Sequence, residues 1–168
     1  RSTLFPYTTL FRSPYRRVME ICRRYTNDRA ILAAALLHDV LEDTPVQKES
    51  LEEFLQKVMD QNQAQRTLKL VVELTDIYVK ENFPQWNRRK RKTKEAERME
   101  TISAEAQTIK YADIIDNSAE IAEHDPEFAK KFLDECRILL KKMKKGNGQL
   151  YQRAVDTVQS SMEQVKKS

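Results

Sequence analysis

Residues 30–37 read AILAAALL, a stretch that is apolar on every side of a helix. Such a segment cannot lie along a surface, because no face of it favours water. It belongs at the centre of a helical assembly, with other helices packed around it. The run leads directly into His38-Asp39-Val40-Leu41-Glu42-Asp43, and Pro45 helps to end the helix. Four ionisable side chains therefore emerge together where the core ends.

The flanking sequence supplies helices to surround that centre. Residues 15–25 place Val18, Ile21 and Cys22 on one face, and residues 26–28 form a polar break with good N-cap side chains. Helices are expected over residues 48–59, with Leu51, Phe54, Leu55 and Val58, and over residues 65–75, with Leu68, Leu70, Val71, Val72 and Leu74. Residues 76–87 contain Pro84 and Trp86 and read as a connection. Residues 88–100 are densely charged and suit an exposed helix. Ser103 opens a helix over 104–124, and Asp125-Pro126 restarts the chain, since proline is welcome in a first turn. The next helix carries Phe128, Phe132, Leu133, Cys136, Leu139, Leu140 and Met143 at three-four spacing, and Gly146-Asn147-Gly148 is its stop signal. Leu150, Ala154, Val158, Met162 and Val165 define a last helix. The fold class is all-α, a single-domain helical bundle.

Composition agrees with this reading and narrows the functions. Of 168 residues, 33% are charged and 40% apolar, enough for a core beneath a densely ionic surface. The net charge of only +4 comes from interleaved acids and bases, which argues against nucleic acid as a partner. Cys22 and Cys136 lie far apart without metal-type spacing and read as reduced, buried thiols of a cytoplasmic protein. No apolar run approaches the roughly 20 residues that cross a bilayer, so no membrane partner is expected. Residues 3–13, TLFPYTTLFRS, resemble the in-frame translation of a short-read sequencing adapter. Residues 1–13 are therefore set aside as non-native, and the domain is read as residues 14–168 with its natural N-terminus missing.

Imidazole nitrogen and carboxylate oxygen are good ligands for first-row divalent metals, which makes His38-Asp39 a candidate site. On a continuous helix Glu42 lies one turn from His38, and Asp43 one turn from Asp39. Read alone, the segment is equally compatible with a helix that turns polar as it reaches the surface. A second candidate is Ile109-Lys110-Tyr111-Ala112-Asp113-Ile114-Ile115-Asp116-Asn117. Here Asp113 follows an apolar approach, and Asn117 stands one turn later.

The two segments together resemble the HD superfamily of metal phosphohydrolases, in particular the hydrolase domains of RelA/SpoT-type proteins and their small stand-alone relatives. The family motif ALLHDVxEDT is matched by ALLHDVLEDT at residues 35–44, and IKxADxxxN by IKYADIIDN at residues 109–117. The resemblance spans about residues 14–145 and implies an HD-type bundle. It implies His38, Asp39 and Asp113 as ligands of Mn²⁺ or another divalent metal. Glu42 and Asp43 match the acidic pair of the alarmone hydrolases, which orients or activates water. Asn117 matches a substrate contact, and Lys110 either faces the phosphates or is solvated. The implied partner is a small-molecule nucleotide, with pyrophosphate released from the 3′ position of (p)ppGpp or a related nucleotide; the alternatives are an HD phosphohydrolase of another nucleotide and a non-catalytic helical module.

One element of the family pattern is missing. A metal-binding histidine is expected in the pattern H-x-x-R-V, about 24 residues before the HD pair, and Pro14 occupies that register in Pro14-Tyr15-Arg16-Arg17-Val18. Proline cannot bind a metal, so impaired activity is expected. The basic run at residues 88–94 invites a nucleic-acid reading, but Glu95, Glu97 and Glu100 favour a salt-bridged surface helix. Trp86 is expected to pack rather than stack on a base. His124-Asp125 repeats the letters HD but is followed by Pro126 and reads as a turn.

Overall fold

The computed structural model of the chain describes residues 14–167; the adapter-like stretch at 1–13 lies outside them. Nine helices form among the described residues: α1 (Pro14–Arg23), α2 (Arg29–Leu37), α3 (Val40–Asp43), α4 (Lys48–Val58), α5 (Gln61–Leu74), α6 (Arg88–Met99), α7 (Ala104–His124), α8 (Pro126–Lys142) and α9 (Gly148–Lys167). They form no strands among those residues. The expected all-α bundle is thus the fold, with boundaries shifted by a few residues. The largest shift is at α5, which starts at Gln61 because the Asp60 carboxylate accepts from the Gln63 amide and caps it earlier.

The centre of the bundle is α7, not α2. Helices α1, α2, α5, α8 and α9 all pack on α7. From Ala106 to Ile115 only Lys110 is not buried. Alanines 106 and 112 let neighbouring backbones approach, while Ile109, Ile114 and Tyr111 fill the gaps. Helix α2 packs on α1, α5 and α7, burying Ala30, Ile31, Ala34 and Ala35, but Leu36 remains 44% exposed. Its uniform apolarity overstated its burial. Polar residues conceal the role of α7, and three of them bind backbone elsewhere. Gln107 donates to the Met99 carbonyl (3.1 Å) and accepts from the Lys145 amide (2.8 Å). Thr108 Oγ1 accepts from the Asn147 amide (2.9 Å), and the Tyr111 hydroxyl donates to the Met143 carbonyl (2.9 Å). These bonds fasten the α8–α9 turn to the central helix and satisfy buried groups that would otherwise be costly.

That turn also corrects the reading of Gly146. No glycine among the described residues has a positive φ, so Gly146 is not a left-handed helix stop. It is small because space is lacking: a Cβ there would lie 2.6 Å from the Tyr111 ring, 2.8 Å from the Thr108 nitrogen and 2.9 Å from its hydroxyl. Gly146→Ala is expected to destabilise the fold by about 1–3 kcal/mol through overpacking, measured by denaturant unfolding. Gly148→Ala, where a Cβ meets nothing within 4 Å, should change stability far less. Equal effects at the two positions would refute the close-approach account.

Candidate metal centre

Helix α2 delivers His38 to the edge of the core, 4% exposed, and the chain then leaves the helical path. Asp39 has φ −102° and ψ 4°, and its carbonyl accepts from the amides of Glu42 and Asp43 to start the short helix α3. The sequence reading of one continuous helix is therefore corrected. The break has a consequence for chemistry. Successive side chains on an unbroken helix diverge by about 100°, so His38 and Asp39 would not face one point. Here Asp39 Oδ2 lies 3.0 Å from His38 Nε2.

Helix α7 brings the third group. Asp113 Oδ1 lies 3.4 Å from the same His38 nitrogen, and one ligand atom from each of His38, Asp39 and Asp113 lies within 4.8 Å of the others. On its other side the imidazole is tied at Nδ1 to the Ala35 carbonyl, 2.7 Å away. A carbonyl only accepts, so Nδ1 carries a proton and Nε2 is the nitrogen presented to the two carboxylates. Asp113 is itself oriented twice: Asn117 Nδ2 donates to Oδ1 (2.7 Å), and Lys110 Nζ donates to Oδ2 (2.8 Å). An imidazole nitrogen and two carboxylate oxygens, held by a carbonyl, an amide and an ammonium, suit a first-row divalent cation.

The charges reinforce one another. Burial opposes a charge on His38, but hydrogen bonds with Asp113 and Asp39 outweigh it and push the imidazole up to about 10. Burial likewise opposes the Asp113 carboxylate, yet the charges of Lys110 and His38 hold it well below the usual range. Lys110 is kept charged against its own desolvation by Asp113, Asp76 and Asp39. Lys110 is thus bound to Asp113 rather than solvated.

The acidic pair divides between two neighbours. Glu42 Oε1 accepts from the Asp76 amide at 2.6 Å; desolvation raises its carboxyl above the ordinary value, the charges of Asp76 and Asp39 add to the shift, and the Asp76 amide and Lys110 oppose it. Asp43 accepts from the Tyr15 hydroxyl at 2.9 Å, and the Tyr15 ring stands edge-on to His38 with centroids 6.0 Å apart. The two acids thus meet different neighbours, Glu42 the start of the segment after α5 and Asp43 the first turn of α1. Pro14 begins α1 beside Tyr15 and brings no donor atom to the group.

A cleft of about 570 Å³ opens between α6 and α8 next to these residues. Lys110 and Asp76 line it, together with Arg89, Lys92, Lys130 and Lys131, and Glu127, Asp134 and Glu135 add negative charge to its wall. Asp76 and Tyr15 were not found from the sequence, and Lys92 only within the basic run at residues 88–94. Asp76 opens a segment read only as a connection, and no local pattern marks it. The other predicted features fall outside the centre. His124 bonds the Glu120 carbonyl and Asp125 caps α8, as a turn would. Trp86 stacks on Phe83 (4.6 Å), with Lys90 over its ring. Both cysteines are free and buried, and desolvation pushes each thiol up to about 12.

A cation at this centre must displace the His38 proton. Metal affinity should therefore rise by about tenfold per pH unit from pH 7 toward the His38 value, with one proton released. In the metal-free chain the same proton stabilises the fold fully below the ordinary histidine value of 6.5, and that gain is lost as pH rises through about 10. Titration calorimetry with Mn²⁺ in buffers of different ionisation enthalpy counts the proton; none released below pH 8 would contradict the arrangement.

Comparison with known proteins agrees with the geometry. The chain is similar in structure to a metazoan orthologue of SpoT that hydrolyses ppGpp and plays a role in starvation responses, with 22% identity and a TM-score of 0.68 over 87% of this chain and 80% of that one. It is also similar to lmo0812 from Listeria monocytogenes EGD-e, with 18% identity and a TM-score of 0.66 over 90% of this chain and 99% of that one. At these identities the likeness is one of fold. No curated protein matches the sequence. The HD domain family matches residues 15–118, which carry His38, Asp39 and Asp113, and the chain therefore belongs to the HD domain family of metal-dependent phosphohydrolases.

Proposed function

We propose that the chain hydrolyses the 3′-diphosphate of (p)ppGpp or a related nucleotide, releasing pyrophosphate. The observation that carries this reading is the His38, Asp39 and Asp113 cluster, joined through Lys110 to a cleft whose wall carries Arg89, Lys130 and Lys131 among acids. Similarity to a ppGpp-hydrolysing orthologue of SpoT supports the choice of nucleotide. The metal is taken as Mn²⁺, held by those three residues, and the two buried thiols fit a cytoplasmic setting.

When bound, the cation acidifies water and offsets charge on the phosphoryl oxygens. The remaining work falls to this chain's residues. Asn117 and Lys110 fix Asp113, and the Ala35 carbonyl fixes His38, so the donor set is preorganised. Glu42 receives the proton of the attacking water; its raised carboxyl makes it a better base than an ordinary glutamate at neutral pH. Water oxygen joins the phosphorus attached to the 3′ oxygen, that P–O bond breaks, and the 3′ oxygen takes up a proton. Asp43, bound to the Tyr15 hydroxyl, holds Tyr15 against the His38 ring. Cations of the cleft receive the substrate's charge. Asn117 is assigned to orienting Asp113 and contacts substrate only beyond it.

A nucleic-acid role for residues 88–94 is less well supported. Arg88 is bound to Glu135 through two bonds (2.8 and 2.7 Å), Lys92 to Asp76 (3.2 Å) and Lys94 to Glu97 (2.8 Å). These pairs use up much of the charge that a phosphate backbone would need.

Pro14 leaves the centre one histidine short of the family pattern, so Pro14→His should increase Mn²⁺ affinity and pyrophosphate release from ppGpp by at least about tenfold. The comparison is made on the full chain with and without Mn²⁺. Turnover of deoxynucleotides but not ppGpp would transfer the reading to another nucleotide. No turnover by either form, with Mn²⁺ bound, would overturn it for both.

A further inference from the structure

The charged helix α6 buries a carboxylate at its centre. Glu95 is 4% exposed, although its neighbours in sequence are almost all ionic. Its Oε2 accepts from the backbone amides of Ile77 (3.1 Å) and Tyr78 (3.0 Å), and its Oε1 from Arg98 Nε (2.6 Å). Arg98 in turn donates to the carbonyls of Glu73 (2.9 Å) and Thr75 (3.0 Å) at the end of α5. The pair therefore grips the backbone on both sides of Asp76. One amide in this stretch, that of Asp76, is left for another partner, and it donates to Glu42 Oε1 at 2.6 Å. Three successive amides are thus held by two carboxylates, one on α6 and one beside the metal centre. Lys92, one turn before Glu95, also holds the Asp76 side chain (3.2 Å).

We propose that Glu95, with Arg98, is a positioning residue that sets the direction of the Asp76 amide and through it the place of Glu42. The inference rests on the reading of Glu42 as the proton acceptor of the phosphohydrolase site. Burying an ion pair is costly, and an exposed helix gains no stability from it that an apolar pair would not match. The pair fits a different task. It holds an irregular segment rigidly where the Asp76 amide must face the Glu42 carboxylate, and small displacements of a catalytic group are expensive in rate.

The test uses the full chain and Glu95→Asp, which keeps the charge beside Arg98 but is too short to span both amides. In the metal-free, ¹⁵N-labelled protein, Glu42→Gln identifies the share of the Asp76 amide proton shift that comes from Glu42. Glu95→Asp is expected to move that resonance in the same direction and to speed its exchange with solvent. In Mn²⁺-loaded protein, Glu95→Asp is expected to lower kcat for pyrophosphate release by about ten- to a hundredfold with KM changed less than about twofold. In the Glu42→Gln background the same change should cost less than about twofold. An unmoved Asp76 resonance, or an equal loss of kcat in both backgrounds, overturns the proposal. A moved resonance in a protein that turns over no substrate supports the clamp and defeats only the activity reading. If Glu95→Asp does not fold, Arg98→Lys, which retains charge but loses the two carbonyl bonds, carries the same expectations.

Discussion

Two carboxylates converge on one imidazole nitrogen at the end of a helical core, and the surrounding structure is organised to make that tolerable. Asp39 and Asp113 lie 3.0 and 3.4 Å from His38 Nε2, so something positive must stand between them. A proton on the imidazole meets the requirement in the metal-free chain, and a divalent cation meets it better, since it can be shared by all three groups. Lys110 offsets part of the remaining charge from behind Asp113. The groups that orient the ligands, the Ala35 carbonyl and the Asn117 amide, come from the same two helices as the ligands themselves. The packing of α2 on α7 therefore builds the core and the centre together.

The bundle treats its charged residues in two ways. On the outer surface they form pairs such as Arg137–Asp134 and Lys94–Glu97, which contribute little to stability. Elsewhere they bind backbone where no helix can supply the partner. Glu95 and Arg98 close the end of α5, Gln107 closes the α8–α9 turn, and Asp28 caps α2 while receiving Arg66 (2.8 Å), which also binds Glu105 on α7 (3.0 Å). The irregular segments next to the centre are fastened by these bonds rather than by apolar packing. The cleft between α6 and α8 is lined by basic and acidic side chains together with Met99, Ile138 and Leu139.

Much of this was legible in the residues alone. Helical periodicity located eight helical segments, and the apolar run before His38 placed an ionisable cluster at the end of the core. The motif matches at residues 35–44 and 109–117 named the three residues that the fold gathers, although 75 positions separate His38 from Asp113 and 74 separate Asp39 from it. What misled was apolarity taken as burial: α2 reads as the centre because every residue from Ala30 to Leu37 is apolar, while α7, with Gln107, Thr108 and Asp113, reads as mixed. Side chains that satisfy backbone groups are buried as thoroughly as isoleucine, and composition does not distinguish them from surface residues.

The sequence by itself determined the class of structure, because helical pattern is a local property, and its two family motifs singled out His38, Asp39 and Asp113 as the expected donors. Tertiary structure decided which side chains meet. The break at Asp39 brings its carboxylate to His38, and Glu42 and Asp43 meet Asp76 and Tyr15, partners 34 and 28 positions away in the chain. Asp76, Glu95 and Arg98 acquire their roles only through contacts between α5, its following segment and α6. Those contacts depend on backbone direction and on amides without a helical partner, which no residue-type pattern records.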